Sequence, residues 1–433
     1  MKSPISNFKS ALLLGCVAAL ASCDKPKPSA SAPATTSGPL VQRAYLWQRD
    51  WTRQVSQSTV AHAGAFDTLD LLAAQIEWRE SASEPSLVRP AIDWPALRAT
   101  GKPVGFVVRV QRAGEGAAVA ETVTRLLLDR LAEAKAESVS VAEFQIDYDC
   151  PQKRLADYQG WLVPIREGLR ATGLPLRITT LPSWLGEPAF APLVDTTDGY
   201  VLQVHSFDLT TLGKTPTVCD PAMARDWVAR AAKLGRPFHV ALPTYRCLAG
   251  YAPDGHCLGM AADAGSPPWP PGTRVLEFTS DATALANLVI EWTKERPAAM
   301  QGLYWYRLPI EGESRNWRWP TLAAVMAGRV PVSKWEVRST PGNPTDFVLW
   351  NTGENDDPLP SAIRVTWSGS GQVAVADALG GWSCQTSTDH VEFHAASRGM
   401  PVRLAPGNSV PLGWIRYHEA PPSDRMMSYE IVR

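Results

Sequence analysis

Three polar residues alternate along one short segment of the chain: Gln145, Asp147 and Asp149. One apolar or aromatic residue separates each from the next, so in a β-strand all three side chains point to the same side. Two carboxyl groups crowded together cost free energy unless they are hydrogen-bonded or paired, and the crowding raises the pKa of one of them. Such a pair suits an acid or a charge stabiliser, so Asp147 and Asp149 are candidate catalytic residues.

A purely structural role for the same carboxylates is the alternative. Arg109 and Arg307 both stand near the ends of apolar, strand-like segments, and either could form a buried ion pair with Asp147. An ion pair of that kind would hold the fold together without any chemistry.

The elements that must position these residues are strand-like apolar runs separated by helix-like segments. The clearest helical segment is Glu121–Glu137, which carries Val123, Leu126, Leu127 and Leu131 on one face. Gly- or Pro-bearing turns such as Gly235-Arg236-Pro237 end the helical segments. Other helices are predicted at 155–172, 222–234 and 282–295. The predicted strands are Arg43–Arg49, Thr68–Trp78 with its early part as loop or turn, Pro103–Gln111, Ala142–Asp149, Leu176–Leu181, Gly199–Ser206, Phe238–Tyr245 and Gly302–Leu308.

Eight strand–helix units over residues 40–330 match the size of a (β/α)₈ TIM-type barrel. An open, doubly wound α/β sheet is the competing fold, but no Gly-x-Gly-x-x-Gly follows the first strand. Beyond residue 330, short alternating runs are separated by Gly, Pro, Asn and Ser, which is typical of an all-β sandwich over residues 331–433. Such a domain can serve as a spacer or as a binding module.

Chemistry in a (β/α)₈ barrel sits at the carboxyl ends of the strands. Polar and aromatic residues stand at those ends in this sequence, and we expect them to bind substrate together with Gln145. They are Trp47, Arg49, Glu77, Arg109, His205, Tyr245, Trp305 and Arg307.

The N-terminus reads as an export signal. Lys2 and Lys9 precede the apolar run from Ala11 to Ala21, which is too short to span a bilayer. The run ends in Leu-Ala-Ser-Cys at Cys23, which resembles the lipobox of bacterial lipoproteins; an ordinary cleavage site with an incidental cysteine is the alternative. Residues 24–39 contain no large apolar residue, and this segment is predicted to be a disordered tether. We therefore expect a lipid-anchored protein of the bacterial cell envelope.

Export permits disulfide bonds. Five cysteines remain after residue 23, so at least one must stay unpaired within the chain. We predict Cys247–Cys257 and Cys150–Cys219 as pairs that fix loops at the carboxyl face, with Cys384 free. No Cys-x-x-Cys spacing supports a metal site, and no cofactor is predicted.

The chain has 42 basic and 43 acidic residues, which excludes the electrostatic footprint of a nucleic-acid-binding protein. It also has 17 tryptophans. Most tryptophans pack in cores or interfaces, but some can form a platform for sugar rings.

The segment from Gln145 to Asp149 resembles the strand-four motif Asp-x-Asp-x-Glu of family-18 chitinase-like glycosidases. In that family the final glutamate is the general acid, and the middle aspartate orients the substrate N-acetyl group, which acts as the nucleophile. The resemblance aligns Asp147 with the middle aspartate, Gln145 with the first aspartate and Asp149 with the acid. It also aligns Trp305 with the tryptophan that forms the floor of the sugar subsite. The substitution of Asp149 for glutamate shortens the acid by one methylene, and misplacement by about 1 Å can cost a hundredfold in rate.

As a whole the chain resembles an uncharacterised family of bacterial lipoproteins with a glycosidase-type barrel. The resembling segments are 45–49, 145–151, 200–206 and 242–247. The resemblance implies the barrel and the export signal more than a reaction.

Two functions follow from these observations. The first is a glycosidase-like hydrolase in which Asp149 or Asp147 is the acid; a second carboxylate from another strand would come from Glu77 or Asp50. The second is a glycan-binding or scaffold lipoprotein on a degenerate barrel. The partners expected in either case are a carbohydrate and, through the lipid, a membrane.

Overall fold

The computed structural model describes residues 34–79, 84–114, 116–207, 216–261, 268–368, 371–396, 402–419, 421–422 and 427–432. The signal segment and Cys23 lie outside the described residues. So does the tether up to residue 33.

Eight parallel strands form the centre of the chain. Strand one pairs with strand two on one side and with strand eight on the other, which closes the sheet into a barrel. The predicted barrel is therefore confirmed, and the open sheet is excluded. The strands, numbered one to eight, are Val41–Leu46, Thr68–Glu77, Val104–Arg112, Val141–Tyr148, Leu176–Thr180, Tyr200–Gln203, Phe238–Pro243 and Met300–Tyr306.

Strand two differs from the expectation in its early part. We expect loop or turn there, yet the ladder with strand one begins at Thr68 itself. Every residue from Thr68 to Ile76 is buried. Strand six is shorter than predicted, so His205 lies in the loop that follows Gln203.

Helices surround the barrel and cover its apolar outer surface. The helix Ala282–Lys294 illustrates why they form: Asp281 caps its N-terminus by accepting hydrogen bonds from the backbone amides of Thr283 and Ala284. A cap of this kind stabilises a helix by about 1 kcal/mol. Apolar residues at helical spacing then face the strands. In chain order the α-helices are α1 Arg53–His62, α2 Trp94–Thr100, α3 Gly116–Ala136, α4 Leu155–Leu169, α5 Phe190–Val194, α6 Pro221–Ala232, α7 Ala282–Lys294 and α8 Trp319–Met326.

The last residues of the predicted tether are ordered. Thr35 and Thr36 pair with Arg296 and Pro297, just before strand eight begins. The side chain of Arg296 also donates to the carbonyl of Gly38 over 2.8 Å. Residues 35–38 therefore meet the barrel at the amino-terminal ends of the strands.

An insertion follows strand seven that the sequence patterns do not predict. It contains three antiparallel strands, Arg246–Tyr251, Cys257–Ala261 and Arg274–Thr279, with the first in the middle. Its buried face includes Ala249 and Phe278, and Tyr245 and Phe207 pack against that face. The insertion thus stands beside the carboxyl end of the barrel.

Two four-stranded antiparallel sheets form most of the described part of the C-terminal region, so the predicted β domain after the barrel is confirmed. Their facing surfaces share one core, which contains Phe347, Leu349, Ile363 and Phe393. The first sheet has the order 335–340, 345–351, 409–417, 373–378, and the second has the order 382–386, 390–395, 362–367, 427–432.

Candidate functional site

Strand four presents its alternating polar residues to the interior of the barrel. Gln145 is fully buried, and its amide oxygen accepts a hydrogen bond of 2.7 Å from the hydroxyl of Tyr45. Asp147 lies above it with only 4% of its side chain exposed. Asp149 follows at the rim, where 50% of its side chain is exposed. The three residues therefore form a gradient from the dry interior to the solvent.

Arg109 of strand three holds both carboxylates. It lies opposite Asp147 in the strand register, and its Nη1 donates to Asp147 Oδ2 over 2.5 Å. Its Nη2 donates to Asp149 Oδ2 over 3.3 Å. The ion pair between Asp147 and Arg109 that we considered as a structural alternative is thus present, and Arg109 binds both candidate catalytic groups.

Two neutral side chains complete the surroundings of Asp147. The hydroxyl of Thr179 donates to Asp147 Oδ1 over 2.6 Å, and Gln203 Nε2 lies 3.4 Å from the same oxygen. Both carboxylate oxygens are therefore engaged. A buried carboxylate held in this way is fixed in orientation and suits the positioning of a ligand better than attack on it.

Asp149 has a different environment. Partial burial raises the pKa of its carboxyl group, and the neighbouring charge of Asp147 raises it further, while Arg109 acts in the opposite direction. Solvent at the half-exposed rim moderates all three effects. Two carboxyl groups whose surroundings differ this much can take different roles, one as a proton donor and one as a fixed charge.

A cavity of about 340 Å³ opens at the carboxyl ends of the strands. Trp47 and Tyr306 meet edge to face in its wall with ring centroids 5.4 Å apart. We call it the mouth cavity. Its polar lining includes Arg109, Asp147, Asp149, Thr179, Gln203 and His205, and its aromatic lining consists of Tyr45, Trp47, Phe207, Tyr245 and Tyr306.

His205 and Tyr245 form one side of the mouth cavity. The hydroxyl of Tyr245 lies 3.4 Å from His205 Nδ1. Burial lowers the pKa of His205 to about 4. The imidazole is therefore neutral near pH 7, and it can exchange hydrogen bonds with a ligand without adding charge.

A second polar layer lies deeper in the barrel. Glu143 accepts hydrogen bonds from Arg43, Arg177 and Tyr304 at 2.6–2.9 Å. Burial alone would raise the pKa of Glu143, but the two guanidinium groups lower it below its ordinary value. This buried ionic layer fills part of the barrel interior beneath the mouth cavity.

Asp70 of strand two adds an unusual group to this layer. Its side chain is fully buried, and within the described residues neither carboxylate oxygen has a hydrogen-bond partner. Burial and the nearby Glu143 raise its pKa well above the ordinary value. Gly105 of strand three makes room for it, because a Cβ atom there would lie 1.9 Å from Asp70 Oδ1.

Trp305 does not form the floor of the mouth cavity, so that prediction is wrong. Its side chain is fully buried in the layer between the barrel and the helices, where its Nε1 donates to Gln42 over 2.7 Å. Its neighbours Tyr304 and Tyr306 point inward instead. In strand eight, the residues that we expected to point outward therefore point inward, and Trp305 points outward.

Four further predicted ligands stand outside the cavity lining. Gln145 is fully buried beneath Asp147, so it does not reach the cavity. Arg49 is exposed, and its Nη2 donates to Gln75 over 2.8 Å. Arg307 pairs with Glu313 at 3.0 Å. Glu77 lies at the end of strand two, where Ser86 of an added antiparallel edge strand pairs with it. Glu77 and Asp50 are also absent from the lining, so neither supplies a second carboxylate there.

Sequence reasoning missed several residues that the barrel brings to the mouth cavity. Thr179 and Gln203 follow the inward alternation of strands five and six and could have been found from it. Phe207 and Tyr306 carried no signal, because aromatic residues are common throughout the chain.

Neither predicted disulfide forms, and Cys150, Cys219, Cys247, Cys257 and Cys384 are all free thiols. For one pair the strand register gives the reason. Cys257 pairs with Tyr251, and Cys247 stands four residues away along the same strand. At 3.3 Å per residue the separation is about 13 Å, beyond the reach of a disulfide.

The other pair is buried in the layer between strands and helices. Cys150 lies just beyond strand four, where its thiol donates to the Pro151 carbonyl and its own carbonyl accepts from Trp184 Nε1. Cys219 precedes α6 and lines a different cavity. Each thiol is thus accommodated by local packing.

Within the described ranges, no group of three or more His, Cys, Asp or Glu residues is arranged to hold a metal ion. Nor does any helix there combine the length and the hydropathy needed to cross a bilayer.

The chain is a (β/α)₈ barrel with a carboxylate-bearing mouth, followed by an antiparallel β domain. Two family models match it. Residues 100–311 match the domain of unknown function DUF3142, and residues 337–418 match the domain of unknown function DUF8456. No curated protein sequence matches the chain.

Several solved structures are similar to this barrel at a distance. The spore cortex-lytic enzyme SleL of Bacillus megaterium is 13% identical with a TM-score of 0.46, covering 64% of this chain and 72% of that one. A chitinase from Chromobacterium violaceum is 14% identical with a TM-score of 0.46, covering 67% and 98%. Chitinase ChiA74 from Bacillus thuringiensis is 10% identical with a TM-score of 0.42, covering 91% and 100%. The barrel itself follows from the closed parallel sheet of this chain.

Proposed function

We propose that this protein is a glycoside hydrolase that cleaves a glycan in the mouth cavity. One observation carries the proposal: the half-exposed carboxyl of Asp149, whose pKa is raised, stands beside the buried, ion-paired carboxylate of Asp147. Glycosidic bond cleavage needs a proton donor at the leaving oxygen and negative charge near the anomeric carbon. The carboxyl group of Asp149 suits the role of proton donor, and the carboxylate of Asp147 suits the role of negative charge.

The contacts of the two carboxyl groups indicate which role each of them takes. Asp149 faces solvent and would donate its proton to the glycosidic oxygen as the bond to the anomeric carbon breaks. Asp147 has both oxygens engaged and would stabilise developing positive charge without attacking. The resemblance to family-18 enzymes implies that the acetamido oxygen of the substrate attacks the anomeric carbon. The Asp149 carboxylate would then take a proton from the water that releases the product.

The walls of the cavity support a carbohydrate ligand. Trp47, Tyr245 and Tyr306 supply apolar ring surface, and Gln203 and His205 supply neutral hydrogen-bonding groups. A pocket with a few placed polar groups among aromatic walls is typical of small-ligand sites. Sugar rings present alternating apolar faces and hydroxyl edges that such walls can accept.

The test is an assay of purified protein with N-acetylglucosamine oligomers, from the dimer to the hexamer, followed by mass spectrometry. We expect shortened oligomers with the wild type and none with Asp149→Asn. Asp157→Asn is the matched control, because Asp157 lies on α4, is exposed, and pairs only with Arg154 among the described contacts. Equal turnover by wild type and Asp149→Asn would contradict the proposal.

A second candidate function is glycan binding without cleavage. It is favoured by the contact between Arg109 and Asp149, which opposes protonation of the carboxyl group, and by the short aspartate side chain at this position. Binding of the oligomers in calorimetry without any product would decide for this function.

We also propose that the protein is exported and anchored to a membrane of the bacterial envelope through a lipid on Cys23. The support is the charged start, the apolar run and the Leu-Ala-Ser-Cys ending in the first 23 residues. Cys23→Ser should abolish incorporation of labelled palmitate and leave an unprocessed precursor. Unchanged palmitate labelling of the Cys23→Ser variant would contradict the proposed lipid anchor.

A further inference from the structure

A second cavity lies outside the mouth, between the barrel and the C-terminal domain. Its volume is about 450 Å³. The barrel contributes the first turns of α6 and α7 and the segment around Trp317. The C-terminal domain contributes Asn355, Asp356, Asp357 and Arg403. We call it the interdomain cavity.

The interdomain cavity adjoins the mouth cavity. Tyr245 belongs to the lining of both, directly after strand seven. Phe207 lines the mouth cavity, and the segment from Thr217 to Pro221 lines the other. The backbone amide of Ser206 donates to the Val218 carbonyl over 2.8 Å, so the two segments are joined side by side. A ligand that leaves the mouth past Tyr245 therefore meets the second cavity next.

The charges of the interdomain cavity disfavour an anionic ligand. The carboxylates of Asp220 and Asp281 already cap the amino ends of α6 and α7. Arg246 forms an ion pair with Asp356, and Arg403 donates to Glu277 over 3.1 Å. The cationic groups are thus neutralised by the protein itself, and a ligand carboxylate or phosphate would be repelled.

The remaining surface suits a neutral, hydroxyl-rich ligand. Threonine and serine residues line the helix side, and Trp317, which is 8% exposed, is fixed in the wall by a hydrogen bond of 3.2 Å from its Nε1 to the Ser280 carbonyl. Mixed aromatic and hydroxyl walls of this kind match the surface of a sugar.

We propose that the interdomain cavity is a second glycan-binding site that holds further, uncharged sugar units of the chain bound in the mouth cavity. The proposal rests on the proposed function, since it extends the same ligand. It gives the C-terminal domain a part in ligand binding, because that domain forms one wall of the site.

Calorimetry with the Asp149→Asn variant, which we expect to bind without cleaving, tests this. The probes are N-acetylglucosamine oligomers from the dimer to the hexamer. We expect the longer oligomers to bind at least about tenfold more tightly than the dimer, equivalent to about 1.4 kcal/mol. Thr283→Trp, which fills the cavity from the exposed start of α7, should remove that gain and leave dimer binding unchanged.

Met223→Trp is the matched control, because Met223 is exposed in the first turn of α6 but does not line the cavity. Asn355→Trp fills the site from the C-terminal domain and should act like Thr283→Trp. Oligogalacturonates of the same lengths should show no gain with length. If the gain survives both filling variants, or if it never appears while the dimer binds, the second site is wrong. If no oligomer binds at all, the proposed function fails, and this inference fails with it.

Discussion

Arg109 and Asp147 form an ion pair of 2.5 Å between adjacent strands of the barrel, and the second amino group of the same guanidinium reaches Asp149. The pair lies at the boundary between the dry interior and the mouth cavity. It joins the group that we assign as a fixed charge to the group that we assign as an acid. Substitution of any one of the three residues should therefore alter the electrostatic environment of the other two.

The pH dependence of hydrolysis should report Asp149. A general acid works in its protonated form, and partial burial raises the pKa of this carboxyl group. The kcat should therefore fall as pH rises through that raised pKa, and the falling limb should lie above the range of a free aspartate. Asp149→Asn should lose on the order of 10²–10⁴ in kcat. A pH profile that is flat from acid to neutral pH would contradict this assignment.

Removal of the cation should cost stability. Arg109→Met leaves Asp147 buried without its charged partner. Loss of one partner of a buried pair costs about 3–5 kcal/mol, and we expect about 2 kcal/mol here, because Arg109 is 29% exposed and Thr179 still donates to Asp147. Urea unfolding of Arg109→Met, Asp147→Asn and the double variant measures the coupling. Strict additivity of the two changes would show that the pair contributes nothing.

Trp47, which follows strand one, and Trp305, which lies in strand eight, should respond differently to substitution. Trp305→Ala should destabilise the fold by about 3–5 kcal/mol, because its side chain is fully buried in the core. Trp47→Ala should leave stability nearly unchanged but weaken oligomer binding by about tenfold. Thermal melting and calorimetry on both variants separate the effects. Loss of binding by a folded Trp305→Phe variant would argue against the assignment.

Asp70 should make the protein less stable as pH rises. Burial raises its pKa in the folded state, so its protonated form is favoured there. The stability that it contributes is fully present below the pKa of an unfolded aspartate, about 3.9, and is lost as pH rises through the folded-state pKa. Asp70→Asn should therefore raise Tm at neutral pH and have little effect near pH 4. A higher Tm for the wild type at neutral pH would show that the ionised form is stabilised.

The thiols should be open to alkylation after denaturation without a reductant. All five cysteines from Cys150 to Cys384 are free, so mass spectrometry should find each of them labelled by iodoacetamide. A reductant should leave Tm unchanged. Protection of Cys247 and Cys257 from labelling would indicate that they form the disulfide bond that the strand register excludes.

The sequence by itself determined the eight strands, four of the eight described α-helices and the polar face of strand four. Glu143, Gln145 and Asp147 alternate there with Phe144, Ile146 and Tyr148. Because polar and apolar residues occupy opposite sides of that strand, its inward face can be recognised from composition alone. The pairing of Arg109 with Asp147 was also within reach, because Arg109 is one of the two arginines near strand ends that the sequence offers as partners.

Only the tertiary structure decided which face of strand eight points inward and how distant strands fill the barrel. From Leu303 to Trp305 every residue of strand eight is apolar or aromatic and buried, since one face packs on helices and the other on the barrel interior. The hydrophobic pattern of strand eight therefore does not show which residues point into the barrel. An error of one residue places Trp305 inside the barrel instead of Tyr304 and Tyr306. The ionic layer around Glu143 likewise required the closed register, because Arg43 and Arg177 come from strands far apart in the chain.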